Sequence, residues 1–180
     1  MRLEVRIAGF GGQGVALAGY ILGKALTVYD DYEAVMTQSY GPEARGGASS
    51  ADIVVSDEPI DYPFVQHPDV LVVLSQEAYT RFRPTAKPDA TILIDGDLVQ
   101  PQAGENPLCI PATRIAEGIG RRIVANLVML GFLVSVTGLG SPQGLEKAIK
   151  TTVKPKTIPL NLEALERGLK YTLAQVTTNE

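Results

Sequence analysis

Residues able to do chemistry are sparse in this chain, and the densest set lies near its start. Residues 4–19 read EVRIAGFGGQGVALAG. Gly9, Gly11 and Gly14 take the three fixed places of a G-x-G-x-x-G pattern, with Gly12 and Gln13 between them. The apolar run Val5–Ala8 precedes the glycines, and apolar residues at helical spacing follow. Strand, tight turn and helix in that order can form an anion cradle, because a helix N-terminus offers unpaired N–H groups and partial positive charge. Gly9 would permit the turn, Gly11 a close approach of backbone to an anion, and Gly14 tight packing of the helix on the strand. Three uses stay open at this level: a phosphate cradle, a plain strand-to-helix joint, and a close contact with another protein chain.

A nicotinamide site needs one more group. It places an acidic residue about 20 residues further on, at the end of the second strand, to take the ribose hydroxyls. Here that strand ends AVMTQSY, so Thr37, Gln38 and Ser39 stand where the acid belongs, and Glu33 lies at the wrong end. No arginine follows directly to take a 2′-phosphate.

The second unusual segment is TQSYGPEARGGASS, residues 37–50. If strands one and two are parallel neighbours, their carboxyl-end loops lie side by side, on the edge where open α/β sheets bind ligands. Gly9–Gly14 and Ser39–Gly47 are then expected to share one rim. Arg45, followed by Gly46 and Gly47, could grip a phosphate or carboxylate through two nitrogens. Pairing with Glu43 is the competing reading. Yet the rim holds no histidine, cysteine, lysine or clustered carboxylates, the groups that acid–base or nucleophilic catalysis requires. It reads as a place built to bind.

Other candidates are isolated. His67, in VQHPDV, reads as a structural or solvated loop residue, and Cys109, in PLCIP, as a small buried hydrophobe. Asp95 ends the run TILID, where an acid can bind ribose or metal, but DGD also reads as a turn. Tyr62 and Phe64 form either an exposed contact patch or part of the core.

The elements that must position these residues alternate. Strands are expected at Val5–Ala8, Glu33–Thr37, Asp52–Val55, Val70–Leu74, Thr91–Ile94 and Leu108–Ile110. Helices are expected at about Gly14–Val28, from Gln76 with Ser75 as N-cap, at about Arg121–Thr137, from Pro142 with Ser141 as N-cap, and after Asn161. The pattern predicts an α/β fold: one Rossmann-like domain over residues 1–180, with a mostly parallel, mixed sheet and helices on both faces. The link from strand two to strand three is glycine-rich and holds Pro42, so at most a short helix fits where a parallel crossover usually needs a proper one, and the third strand is expected to be antiparallel. Residues 153–161, VKPKTIPLN, read as a proline-punctuated connector.

Composition narrows the class. A chain of 180 residues suits one domain, burying roughly 70% of its unfolded surface. The net charge of −4 and the absence of a basic stripe argue against nucleic acid. The longest apolar run, residues 123–136, is shorter than the roughly 18 residues of a membrane span and contains Asn126 and Ser135, so it reads as a buried core helix. One cysteine rules out an internal disulfide, and a reducing cytoplasm is the expected location.

Taken together, GFGGQGVALAGYILGKA and TQSYGPEARGGASSADIVVSDEPIDYP closely resemble the gamma subunit of the 2-oxoacid:ferredoxin oxidoreductases. PDVLVVLSQEAY, ILIDGDLV and NLVMLGFLVSVTG extend the resemblance along the whole chain, and the wording is most like the 2-oxoglutarate branch. The resemblance implies a complex that converts a 2-oxoacid and coenzyme A to acyl-CoA and carbon dioxide, with ferredoxin as electron acceptor. It implies alpha and beta partner subunits, and a ferredoxin-like delta subunit where one is present. Thiamine diphosphate and the iron–sulfur clusters would sit on those partners, with coenzyme A as cosubstrate. The residues agree: one cysteine cannot supply the four thiolates of a cubane cluster, and Gly96-Asp97 is followed by Leu98, not by the Gly-Asp-Gly of a thiamine-diphosphate site. No cofactor is expected on this chain alone. On this resemblance Gly9, Gly11, Gly12, Gln13 and Gly14, with Tyr40, Gly41, Pro42, Glu43, Arg45, Gly46 and Gly47, form a coenzyme A and subunit-interface rim, and no residue is catalytic. The isolated chain is expected to be inactive, and its exposed apolar interface to favour a homodimer. An autonomous dinucleotide-dependent oxidoreductase and a pure interaction module remain as alternatives.

Overall fold

β1 (Arg2–Phe10) carries five consecutive buried residues, Val5–Gly9, as expected of a strand covered on both faces. It sits inside a six-stranded mixed sheet of order β2-β3-β1-β4-β5-β6. The other strands are β2 (Glu33–Ser39), β3 (Ala48–Ser56), β4 (Val70–Val73), β5 (Thr91–Asp95) and β6 (Leu108–Ile110). The helices are α1 (Val15–Tyr29), α2 (Gln76–Phe82), α3 (Ala112–Ile119), α4 (Ala125–Thr137), α5 (Pro142–Lys150) and α6 (Ile158–Lys170). These come from a computed structural model that describes residues 1–41 and 47–171.

β1, β4, β5 and β6 run parallel, and β3 is antiparallel to both of its neighbours. The expected reversal of strand three is present. The expected adjacency of strands one and two is not: β3 lies between them. The link after β2 reverses the chain directly, so β3 pairs back along β2 from Ser39↔Ser50 to Glu33↔Ser56 and presents its other edge to β1. All nine residues of β3 are buried. Among them is Asp52, opposite Arg6 of β1; the guanidinium donates to both carboxylate oxygens at 2.8 and 2.6 Å. Arg6 also donates to Thr85 and to the Val65 carbonyl and lies over the Phe82 ring.

Helices cover both faces unequally. Among the described elements, α2 alone packs on one face, through Ala78, Tyr79 and Phe82. The main core forms on the other face, beneath α1, α3, α4, α5 and α6. α4 is buried from Ala125 to Val134, as the apolar run requires. It crosses α6 at Gly131 and Gly168, where the two backbones touch: a side-chain carbon on either glycine would strike main-chain atoms of the other helix.

Ser75 and Ser141 cap their helices as the sequence indicates, accepting from the N–H groups of Ala78 and Gly144. β1, β2 and β3 run longer than their apolar cores, and three helices depart from expectation. α3 was not anticipated; it begins without a side-chain cap of its own and depends on Asp95 instead. α4 starts at Ala125 after a 3₁₀ turn, Arg122–Val124. α6 starts before Asn161, because Pro159 lies in the first turn, where a missing N–H costs nothing. Asn161 is therefore helical, donating to the Thr157 carbonyl at 2.8 Å.

Candidate functional site

β1 and β4 are adjacent and parallel, yet they lead in opposite directions. From β1 the chain goes through α1 toward β2; from β4 it goes through α2 to β5. The crevice above their carboxyl ends is the switch point at which open α/β sheets bind ligands. The glycine loop occupies it. A cavity of about 210 Å³ opens there, lined by Gly12, Gln13, Leu74, Thr113, Arg122, Ile123 and Ala125.

Gln13 braces the loop. Its side-chain oxygen accepts from the Phe10 N–H at 2.6 Å, and its amide donates to the Leu74 carbonyl at 2.7 Å, tying the turn to the end of β4. The glycines do not share work as their spacing suggested. Gly9 belongs to β1, not to the turn, and is required because the Gln13 amide oxygen fills the place a side chain would take, 2.7 Å away. The turn falls on Gly12 and Gly14, at φ 94° and 74°. Gly14 packs against Asn126 of α4, not against the strand. The tight helix-on-strand contact is instead Gly19 against Ala51 of β3. Gly11 and Gly12 face open space.

Asn126 also donates to the Gly14 carbonyl at 3.0 Å, so the starts of α1 and α4 meet at one point. Neither helix has a side-chain cap. Two partial positive ends therefore converge beside the crevice.

The second loop reaches the same edge, for a different reason from the one expected. Phe10 pairs with Ala48 and Gly9 with Ser49, so Gly47 emerges beside the end of β1 across an antiparallel ladder. Tyr40 is 75% exposed and Phe10 44%, leaving two aromatic rings on this rim. Gly41 and Gly47 are half-buried. Pro42, Glu43, Arg45 and Gly46 lie outside the described residues. Ser50 Oγ is buried without a partner among the described residues.

The isolated candidates resolve into structural roles or surface. His67 Nδ1 contacts the Thr85 carbonyl at 3.0 Å, and its backbone N–H donates to Glu4. Asp95 is fully buried and accepts from Thr113 N–H and Oγ and from the Asp97 N–H, which makes it the cap of α3. Burial pushes its carboxyl above the usual carboxylate range. Burial, reinforced by Asp95 and Asp97, pushes the Cys109 thiol up, so it is a poor nucleophile at neutral pH. Tyr62 and Phe64 are about half exposed and meet edge to face, 5.6 Å apart, which favours a contact patch over core.

Arg122, Ile123, Leu74 and Thr113 line the crevice and were missed in the sequence. The readable signal was GRRIVANL: two cations and an isoleucine directly ahead of a largely apolar helix. Among the described residues, no helix is long and apolar enough to cross a membrane.

A six-stranded Rossmann-like mixed sheet with an open glycine loop at its switch point places the chain in the α/β class. The chain belongs to the pyruvate ferredoxin/flavodoxin oxidoreductase family, whose model matches residues 4–171. It is 51% identical over 173 residues to the 2-oxoglutarate synthase subunit KorC of Methanocaldococcus jannaschii, covering 93% of this chain and 92% of that protein. The KorC subunit of Methanothermobacter marburgensis is 50% identical over 177 residues, covering 93% and 95%. The crystal structure of the keto/oxoacid ferredoxin oxidoreductase gamma subunit from Geobacter sulfurreducens superposes with a TM-score of 0.87 at 38% identity, covering 97% of this chain and 98% of that one. The fold also recurs within 2-oxoglutarate:ferredoxin oxidoreductase from Magnetococcus marinus, at a TM-score of 0.83 and 22% identity, covering 99% of this chain and 32% of that one.

Proposed function

We propose that this chain is the gamma subunit of a 2-oxoglutarate:ferredoxin oxidoreductase. With its alpha and beta partners, and a ferredoxin-like delta subunit where present, it serves the oxidative decarboxylation of a 2-oxoacid to an acyl-CoA, with electrons passing to ferredoxin in the cytoplasm. Its own part is to form the coenzyme A and subunit-interface rim from Gly9–Gly14 and Tyr40–Gly47, as one domain over residues 1–180. Thiamine diphosphate and iron–sulfur clusters belong to the partners. The observation that carries this reading is the near-full-length identity of about half with KorC subunits. The crevice is consistent with it, since it offers backbone N–H groups and helix ends but no acid, base or nucleophile.

The nicotinamide alternative loses a second support. β3 separates β2 from β1, so at about 4.8 Å per strand the end of β2 stands roughly 10 Å from the glycine loop. A ribose-binding acid there would not reach.

Affinity purification of the tagged chain from its native cell tests the proposal. The co-purified complex is expected to reduce ferredoxin with 2-oxoglutarate and coenzyme A, faster than with pyruvate, while the chain alone is inert. Decarboxylation by the purified chain alone would refute it. A complex that prefers pyruvate would reassign the substrate.

A further inference from the structure

The cations of this acidic chain are used unevenly. Among the described residues, every lysine and arginine but four pairs with a carboxylate, donates to a backbone or hydroxyl oxygen, or lies over an aromatic ring. The four without such a partner are Arg121, Arg122, Lys154 and Lys156, all exposed. They fall in two short segments far apart in sequence, which the fold brings to one place. Arg121 and Lys154 line a groove of about 430 Å³ together with Gly14, Leu17, Ile123 and Leu160. Arg122 lines the crevice at Gly12 and Gln13. Ile123 is the wall common to both.

Neither cavity has a carboxylate in its lining, whereas three other surface cavities include Glu146, Glu105 and Glu58 respectively. Like charges held together unpaired repel one another. In a chain of net charge −4, the unpaired cluster beside two uncapped helix ends makes a local positive field suited to an anion. The apolar walls narrow the class, since a bare inorganic anion gains nothing from Leu17, Ile123 and Leu160. A nucleotide gains from both, its phosphates on the cations and its base on the apolar side.

We infer that Arg121, Arg122 and Lys154 bind the phosphates of coenzyme A. Arg122 meets the diphosphate over the glycine loop. Arg121 and Lys154 take the 3′-phosphate in the neighbouring groove, with the adenosine against Leu17, Ile123 and Leu160. This rests on the coenzyme A reading above and extends the binding surface to the flank of the loop away from Tyr40.

The test uses the assembled complex. Arg121→Gln with Lys154→Gln is expected to raise the KM for coenzyme A about tenfold or more, leave the KM for the 2-oxoacid unchanged, and abolish the preference for coenzyme A over its 3′-dephospho form. Arg122→Gln is expected to raise the KM for both forms alike. Lys156→Gln, outside both cavities, should leave them within twofold. An unchanged KM in the double variant, with coenzyme A still protecting residues 9–14 from hydrogen exchange in the wild-type complex, would overturn the inference and leave the rim. Loss of co-purification with the partner subunits would overturn it too, by making the basic groove a protein contact. Absence of any coenzyme A protection on the wild-type chain would instead refute the rim reading itself.

Discussion

Gly131 of α4 and Gly168 of α6 look directly onto each other's backbones, while Gly11 and Gly12 of the β1–α1 turn look onto nothing within 4 Å. In sequence nothing marks the two pairs for different uses: Gly131 sits in an apolar run, Gly168 follows Arg167, and Gly11 and Gly12 precede Gln13. In the fold they are opposites. At the helix crossing, glycine removes a side chain so that main chains can pack, and the contact is interior. At the turn, it removes a side chain so that main chain stays open to a ligand. The difference shows that a glycine's use is set by what stands opposite its Cα, not by its own chemistry.

The largest effect is expected at the crossing. Gly168→Ala gains about 1 kcal/mol of helix propensity but must push α6 off the Val128 carbonyl. Overpacking of that kind costs about 3 kcal/mol, so a net loss of about 2 kcal/mol is expected in urea unfolding. A neutral result would break the comparison. Gly14→Ala comes next. It combines a φ of 74° with a contact 2.5 Å from Asn126 Nδ2, and about 1–2 kcal/mol is expected from the left-handed backbone alone. Thermal unfolding reads it, and Asn126→Ala in the same chain should recover only the steric part.

Gln13→Glu keeps the bond from the Phe10 N–H but sets a carboxylate against the Leu74 carbonyl. A loss of about 1 kcal/mol is expected, and hydrogen exchange at Phe10–Gly14 should rise. Gly11→Ala meets no neighbour and has no positive φ, so stability should stay within about 0.5 kcal/mol. In the complex, its KM for coenzyme A should nevertheless increase. A loss of stability with unchanged KM would reverse the roles given to the two glycine pairs.

The end of β5 sharpens the contrast, because it is closed where the end of β1 is open. Asp95 seals it by capping α3, and burial raises its carboxyl above the ordinary 3.8. A raised folded value means the folded chain holds that proton more tightly than the unfolded one. Its stabilising contribution is therefore complete below pH 3.8 and lost as the pH rises through the folded value. Asp95→Asn should flatten that part of the stability–pH curve, the smallest of these effects.

Much of the fold was legible. Short β-branched runs marked all six strands, because a strand's identity depends on its own residues and their immediate flanks. Ser75 and Ser141 were legible as caps, since a cap bonds within three residues. The reversal of β3 followed from a link whose glycines and Pro42 leave no room for a proper crossover helix. The place of β3 did not, because pairing partners are chosen among strands distant in sequence. α3 has no local start signal because its cap, Asp95, lies in another element, and the start of α6 is hidden because Pro159 reads locally as a break although it sits in the first turn.

By itself, the sequence determined an α/β chain with an anion-type glycine loop, a missing ribose acid and no catalytic set, because those depend on residue type and short spacing. Tertiary structure alone decided which glycines open to a ligand and which to another helix. It set β3 between β1 and β2, and it gathered Arg121, Arg122 and Lys154 beside Gly12 and Gly14. Contacts between segments remote in sequence have no local signature, and only the packed sheet with its helices brings them together.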